Sequence, residues 1–332
     1  MRLSIRFGSL LVVGLSLPSC AGASYTASRN ATPWVALVAG HSFTSARAHA
    51  LTPLRKRRRS EEFVSDAETG DVAQCKGKTC SLCITPGSGP QGVTTGPVIA
   101  GDQVLSGYVY VAVTLASEIL VLRPAASGVS CSILRTLDDP GEYPSDVAVR
   151  SDGMVAVTNI CSAPSCGPGN IAFYAPGATY PTSTVTGLLS RFYFGDFDKA
   201  GNFYNDGVTA NSATAVGVVP AGATSDMPTG ISGIGSPGGV QVARNGTINI
   251  DDQDCPCIQI YKGNSHVGTV ALPGVVDPAS FALNKRNNDL WVADAASGKV
   301  DEVRYPAGGS IIATLGGFSQ PIGVGVIPPD NP

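Results

Sequence analysis

Histidine is scarce in this sequence of 332 residues, which contains only three: His41, His49 and His266. The first two precede the repeated part of the chain, and His266 falls in a predicted hairpin turn. No two histidines can therefore meet within the repeats as metal ligands or as a general acid and base. This scarcity argues against enzymes whose chemistry depends on paired histidines.

Motifs of other enzyme classes are missing as well. There is no Gly-x-Ser-x-Gly nucleophile motif, and no glycine-rich phosphate loop precedes a helix. Charged residues make up only 14% of the chain and aromatic residues 7%, and helical periodicity is weak after residue 50. Glycine (40) and proline (24) are abundant instead, as in a turn-rich β protein. The sequence thus identifies no catalytic residue and inclines against an enzyme.

The apolar run from Phe7 to Leu17 follows a basic segment and is too short to span a bilayer. Residues 1–23 are therefore predicted to be an export signal. Residues 17–20 resemble a bacterial lipobox, which would place a lipid on Cys20, whereas residues 21–23 resemble an ordinary signal-peptidase site. We predict an exported protein. It is either a lipoprotein in the periplasm or at the cell surface, touching the membrane only through this anchor, or a secreted protein.

Residues 24–97 have the composition of a low-complexity, disordered arm. They contain the basic run from Arg55 to Arg59, then several acidic residues, then a Gly/Thr/Pro-rich stretch. The basic run either attracts anionic lipid headgroups, marks a processing site, or keeps the arm solvated. The rest of the chain has an acidic excess, so no nucleic-acid partner is expected.

Residues 98–328 repeat a pattern of short strands. Each copy has a short apolar run, a turn of Gly, Asp or Asn, a second apolar run, and an outer hairpin with a Pro/Gly turn. The copies lie roughly 41 to 48 residues apart, which is the spacing of a four-stranded propeller blade. The first runs are Asp146 to Val149, Gly195 to Phe197, Val240 to Val242, Ser280 to Leu283 and Gly323 to Val326.

The predicted fold is an all-β propeller with five four-stranded blades, because five outer hairpins can be counted. The C-terminal strand 321–327 would close the ring by joining the blade that contains Tyr108 to Val113, and residues 329–332 would form a tail. Six blades are the alternative. That count requires an innermost strand at Pro97 to Ala100, or further strands in the segment from Cys75 to Thr85.

Two strand endings carry a family resemblance. Residues 289–294 (Asp-Leu-Trp-Val-Ala-Asp) and 201–206 (Gly-Asn-Phe-Tyr-Asn-Asp) resemble the corresponding strand of NHL-repeat propellers, here of an exported bacterial protein or lipoprotein. The resemblance covers about residues 98–328 and implies the propeller architecture. Propellers of this kind include lactonases, lyases and binding scaffolds, so the resemblance does not fix the function.

Eight cysteines remain besides Cys20, and an even number favours disulfides in an exported chain. The predicted pairs are Cys161–Cys166, Cys255–Cys257 and, from Cys75, Cys80, Cys83 and Cys131, one internal pair and one bridge to Cys131. One alternative is a zinc site at Cys75, Cys80 and Cys83, which supplies only three ligands. The other is redox activity at the Cys-Pro-Cys segment 255–257.

Polar residues follow the predicted second strands, where propeller ligands usually bind. These candidate ligand-binding residues are Asn159, Asp206, Asp251, Asp252, Asp254 and Asp294. Carboxylates that converge round a central channel would hold Ca²⁺, with Asp251, Asp252 and Asp254 as the predicted metal ligands. No other cofactor is expected. The alternative role of such aspartates is to cap turns through their side-chain oxygens.

The sequence therefore predicts a monomeric binding or scaffold module at the cell envelope, with an envelope protein or a carbohydrate as its unidentified partner. The alternative is a metal-dependent hydrolase of the gluconolactonase kind that uses carboxylates on the channel. Such an enzyme would bring its carboxylates within about 5 Å of one point on the channel axis. A binding module would leave them in separate turns.

Overall fold

The computed structural model describes residues 60–100, 103–125, 130–284 and 286–327, which form 24 strands and one 3₁₀ helix, Thr114–Ala116. The predicted export signal, Cys20, the basic run at 55–59, His41 and His49 lie outside the described residues. Within the described ranges, no helix has the length and hydropathy needed to cross a membrane.

Each four-stranded antiparallel sheet is one blade. From the innermost strand outward, the first blade contains β24 (Pro321–Ile327), β1 (Glu61–Asp66), β2 (Asp71–Lys76) and β3 (Thr79–Ile84). The second contains β4 (Pro90–Ala100), β5 (Gln103–Val113), β6 (Glu118–Arg123) and β7 (Ser132–Asp138). The third contains β8 (Glu142–Val149), β9 (Val155–Ser162), β10 (Asn170–Tyr174) and β11 (Ser183–Val185).

The other three blades have the same order. The fourth contains β12 (Arg191–Phe197), β13 (Phe203–Val208), β14 (Thr214–Val219) and β15 (Met227–Pro228). The fifth contains β16 (Pro237–Val242), β17 (Ile248–Asp252), β18 (Cys257–Lys262) and β19 (Ser265–Ala271). The sixth contains β20 (Pro278–Leu283), β21 (Asp289–Asp294), β22 (Lys299–Arg304) and β23 (Ala313–Gly316).

The innermost strands touch one another in the order β24, β4, β8, β12, β16, β20 and back to β24. They therefore surround a central channel, and the fold is a six-bladed β-propeller. A single blade cannot bury both of its faces, so neighbouring blades supply the missing contacts. Apolar clusters between blades do this, for example Val64 and Val324 of the first blade against Trp291 and Leu315 of the sixth.

A tight turn joins the innermost strand of a blade to its second strand. Gly153, Gly201 and Gly246 have φ angles of 86°, 87° and 77°, a region that residues with a Cβ rarely adopt. Asn287 takes the equivalent position in the sixth blade with φ of 51°. These turns are the ones that the sequence predicted.

Ring closure uses the predicted C-terminal strand but a different partner. β24 pairs antiparallel with β1, from Glu61 opposite Ile327 to Asp66 opposite Pro321. The strand that contains Tyr108 to Val113 is β5, which lies in the second blade and has its own innermost strand, β4. The five-blade prediction is therefore wrong, and the six-blade alternative is confirmed.

The predicted start of the propeller at residue 98 is also wrong, because the first blade begins at Glu61. The acidic residues of the predicted arm, residues 24–97, suggested a solvated segment, but several of them lie at the ends of β1 and β2. Between them, Phe63 and Val64 are fully buried. The Gly/Thr/Pro-rich segment that follows forms β4, where Pro90 takes the first position of the strand, the place that tolerates a missing N–H.

All eight cysteines in the described ranges form disulfides, as predicted. The pairs are Cys75–Cys80, Cys83–Cys131, Cys161–Cys166 and Cys255–Cys257. Cys83 and Cys131 connect the first blade to the second, whereas the other three bridges are local. The zinc interpretation of residues 75–83 fails, because its three thiols are all used in disulfides.

Candidate functional site

The predicted ligand-binding residues lie mostly within second strands and not in the loops after them. Asn159 is in β9, Asp206 in β13, Asp251 and Asp252 in β17, and Asp294 ends β21, while Asp254 lies in an exposed turn. A polar residue can continue a strand, since most buried polar side chains in folded proteins find a hydrogen-bond partner. The second strands therefore run further than their apolar residues indicate.

Three aspartates at second-strand ends fasten the connections between blades. Each carboxylate accepts hydrogen bonds from two backbone N–H groups of the segment leading into the innermost strand of its own blade. The donors are Ser319 and Gln320 for Asp66 (2.6 and 3.0 Å), Gly235 and Ser236 for Asp252 (3.2 and 3.1 Å), and Val276 and Asp277 for Asp294 (2.9 and 3.0 Å). Asp252 and Asp294 thus have the turn-capping role that the sequence offered as the alternative.

Asp66 was missed by the sequence analysis, although a signal for it exists. It pairs with Pro321 across the sheet, as Asp252 pairs with Pro237 and Asp294 with Pro278. The pattern is therefore an aspartate that ends the second strand and a proline that opens the innermost strand. In the first blade these two residues are at opposite ends of the chain, which hides the pattern in a linear search.

Asp206 and Asp251 occupy the position one residue before the capping position and are fully buried. The Oδ1 atom of Asp206 accepts a hydrogen bond from the N–H of Phe194 at 3.1 Å, but its Oδ2 atom has no partner among the described residues. Neither carboxyl oxygen of Asp251 has one there. Burial raises the pKa of both groups well above the usual range, and neighbouring carboxylates raise it further.

Hydroxyl side chains occupy the same position in two other blades. The Oγ1 atom of Thr158 donates to the carbonyl of Tyr193 in the next blade at 2.7 Å, and Ser65 donates to the carbonyl of Gln91. A neutral carboxyl group can donate in the same way, whereas a carboxylate cannot. The raised pKa of Asp206 and Asp251 therefore suits a neutral side chain packed between blades.

Two further acidic groups line the central channel, which contains a cavity of about 30 Å³. This space holds about two water molecules. Asp146 and Asp196 lie on its wall, and Gln241 follows them round the ring. Each accepts a hydrogen bond from a backbone N–H of the next blade. The donors are Gly195 for Asp146 (3.2 Å), Val242 for Asp196 (2.9 Å) and Leu283 for Gln241 (2.7 Å).

Partial burial in the channel shifts the pKa of the two channel aspartates. It raises the pKa of Asp146 to about 8 and that of Asp196 to about 7, although backbone hydrogen bonds oppose the shift. The nearby Asp196 also raises the pKa of Asp146. Sequence analysis missed both as site residues, because each lies inside an apolar inner strand. A charged residue that interrupts such a strand was the available signal.

The predicted metal ligands Asp251, Asp252 and Asp254 do not come together. Asp251 and Asp252 are consecutive in β17, so their side chains point to opposite faces of the sheet. In the described ranges, the one group of three acidic or thiol ligands whose donor atoms lie within 4.8 Å of one another is Asp252, Cys255 and Cys257. Both of its cysteines are in a disulfide. The donor atoms of the three predicted metal ligands are thus not clustered in the described ranges, and metal binding by them stays a prediction.

Asn159, the remaining candidate, faces the junction between the second and third blades. Its Nδ2 atom donates to Oδ1 of Asn170 at 2.9 Å, and its own Oδ1 atom has no partner in the part of the chain that the structure describes. Asn159 lies in the third blade, whereas Asp206 lies in the fourth and Asp251 in the fifth. The six predicted residues thus belong to several small sites and not to one.

Comparisons with known structures agree on the fold. A chain in a crystal structure of a nidogen/laminin complex is similar with a TM-score of 0.60 and 12% identity, over 81% of this chain and 98% of that one. A protein of unknown function from Bacteroides caccae is similar with a TM-score of 0.60 and 16% identity, over the same shares. At such identities the likeness shows the fold alone. No protein-family model matches the sequence, and no curated protein does either.

Proposed function

We propose that this protein is an exported NHL-like propeller that acts as a binding or scaffold module at the cell envelope. One observation carries the proposal: two of the carboxylates that the sequence offered to an enzyme, those of Asp252 and Asp294, are used in separate structural contacts. Asp252 and Asp294 accept backbone hydrogen bonds in different blade connections. Asp206 and Asp251 are buried between strands.

The dimensions of the channel support the same proposal. A cavity of about 30 Å³ is far smaller than the several hundred Å³ of a typical small-molecule pocket. This cavity is too small for such a ligand, so we place the partner on the outer surface, where an envelope protein or a carbohydrate has room. One chain of this fold occurs in a nidogen/laminin complex, which shows such a propeller taking part in a protein complex there.

Export of the chain rests on the N-terminal sequence and the disulfides. Four disulfides favour an oxidising compartment. Residues 1–23 would direct export, and acylation of Cys20 would leave the propeller as an anchored monomer. Globomycin-sensitive processing and detergent partitioning of the full-length chain test the anchor, with Cys20→Ala as the control. A mature form that starts at Ser24 would mean secretion instead.

A metal-dependent hydrolase of the gluconolactonase kind is the second candidate. Asp251 favours it, because both of its buried oxygens lack a partner among the described residues and Asp206 is close enough to raise its pKa. A small shift of these side chains toward the channel would give an acidic site for Ca²⁺.

The two candidates differ in what the purified protein does. We expect envelope proteins or surface glycans to bind the wild-type protein and its Asp206→Asn and Asp251→Asn variants equally. We also expect no lactone hydrolysis when Ca²⁺ is added. Hydrolysis that depends on Ca²⁺ and disappears in both variants would establish the enzyme instead.

A further inference from the structure

Four polar side chains form a closed circuit where the second blade meets the third. Asp139 and Glu142 lie in and just after the connection from β7 to β8, and Asn159 and Asn170 face each other on β9 and β10. Burial raises the pKa of both acids, and the nearby Asn159 amide opposes this shift for Asp139, as the nearby Asn170 amide does for Glu142. Asn159 donates to Asn170 at 2.9 Å, and the charge of Glu142 raises the pKa of Asp139.

Three oxygens of this circuit are buried and have no hydrogen-bond partner in the described ranges. They are Oδ2 of Asp139, Oε2 of Glu142 and Oδ1 of Asn159. Asp139 is 1% exposed and Asn159 0% exposed, so bulk water cannot satisfy them. Leaving such acceptors unsatisfied is costly, and most buried polar groups in native proteins have a partner.

The charge of the circuit is also uncompensated. Burial raises the pKa of Asp139 to about 6 and raises that of Glu142, and within the described ranges no lysine or arginine forms an ion pair with either acid. The missing ligand must therefore bring positive charge or hydrogen-bond donors. A water molecule would supply donors but leave the buried Asp139 carboxylate and the partly buried Glu142 carboxylate without a counter-charge.

The connection that carries the two acids is fixed in place. Ser117 donates from its Oγ atom to the carbonyl of Glu142 at 2.6 Å, and its own carbonyl accepts the N–H of Asp139 at 2.9 Å. Ser117 itself has a φ of 53°, a conformation that few residues with a side chain adopt. The backbone of both acids is thus fixed before any ligand arrives.

We propose that this junction binds a hard divalent cation, with Ca²⁺ as the first choice, through Asp139, Glu142 and Asn159. The donors are all oxygens, which Ca²⁺ prefers, and none is a thiol or imidazole, which zinc would favour. Two carboxylates neutralise the ion, and the Asn159 amide oxygen supplies a third ligand. The site is independent of the proposed envelope partner and distinct from the Asp206 and Asp251 pair.

The test titrates Ca²⁺ into full-length protein that has been treated with EDTA. We expect the melting temperature to rise up to about 10 mM Ca²⁺, with a Kd of about 0.1–1 mM, as in other extracellular modules. Tb³⁺ in place of Ca²⁺ should emit when tyrosine is excited, because the Tyr174 hydroxyl donates to the carbonyl of Asp138, the residue before Asp139, at 3.0 Å. Asp139→Asn and Glu142→Gln should each weaken binding at least tenfold and remove the Tb³⁺ emission.

Two matched variants separate this site from other acids. Asp152→Asn, at an exposed turn of the same blade, and Asp206→Asn should both keep the Ca²⁺ response. If Asp139→Asn does not fold, Glu142→Gln still tests the site, because Glu142 is only partly buried. The proposal is overturned if wild-type protein shows no Ca²⁺ response at 10 mM, or if Asp206→Asn removes the response while Glu142→Gln keeps it.

Discussion

Asp66 accepts a hydrogen bond from Gln320 and so joins the two ends of the propeller. The Asp66 carboxylate accepts a hydrogen bond from the N–H of Gln320 at 3.0 Å, and the N–H of Ala67 donates to the Gln320 carbonyl at 3.0 Å. The same carboxylate also accepts from the N–H of Ser319. The first blade is thereby closed at its channel edge by residues from both ends of the described chain.

Asp66→Ala should destabilise the protein by about 2–3 kcal/mol, because two backbone donors lose a charged acceptor at the closure. Chemical denaturation measures the change. Asp152→Ala is the control, since it removes an exposed ion pair with Arg150 and should cost less than about 1 kcal/mol. Equal losses for the two variants would mean that Asp66 does not hold the ring closed.

Stability should fall as the pH rises from about 4 to about 8. The pKa of Asp146 is about 8 in the folded protein, against an ordinary value of 3.8. Between these values the folded state holds one more proton than the unfolded state. The stability that the protonated Asp146 contributes is therefore fully present below pH 4 and lost by pH 8. Asp196, with a pKa of about 7, acts in the same direction.

Asp146→Asn isolates this effect. In the variant, the free energy of unfolding should fall less steeply with pH between pH 4 and 7. The slope should change by up to about 1.4 kcal/mol per pH unit, the effect of binding one extra proton in the folded state. Urea denaturation at a series of pH values measures it. An unchanged slope in the variant would show that Asp146 titrates normally in the folded protein.

The repeat in residues 98–328 was sufficient to predict the propeller, because the alternating strands and glycine turns of the last four blades are encoded locally. The first blade was missed for a physical reason. Its innermost strand, β24, and its second strand, β1, come from opposite ends of the chain, so no local repeat exists there. The hairpin from Cys75 to Thr85 carried the only local signal of this blade.

The candidate site was predicted less well than the fold. Residue type and spacing located the aspartates at strand ends, but they did not distinguish Asp252, which accepts three backbone N–H groups, from Asp251, which accepts none among the described residues. The difference depends on which face of the strand each side chain occupies and what the next blade presents. That information exists only once the blades have packed.

The Cys83–Cys131 disulfide should contribute more stability than the local bridges. It joins residues 48 apart and connects two blades, so it restricts the unfolded chain strongly. Replacing both cysteines by serine should cost about 4 kcal/mol. The matched control, Cys75→Ser with Cys80→Ser, opens a bridge between residues 5 apart and should cost about 2 kcal/mol. Thermal denaturation under oxidising conditions compares them, and an inverted order would contradict the chain-entropy argument.

Asp251→Asn and Asp294→Asn should change stability in opposite directions at pH 8. The first variant removes a buried group whose charged form has no partner among the described residues, so its melting temperature should rise, by about 2–4 °C for each kcal/mol gained. The second removes a charged acceptor from the N–H groups of Val276 and Asp277, so its melting temperature should fall. A comparable fall in both variants would contradict the structural role given to Asp251. It would indicate that the Asp251 carboxylate is ionised and holds a cation, as the hydrolase alternative requires.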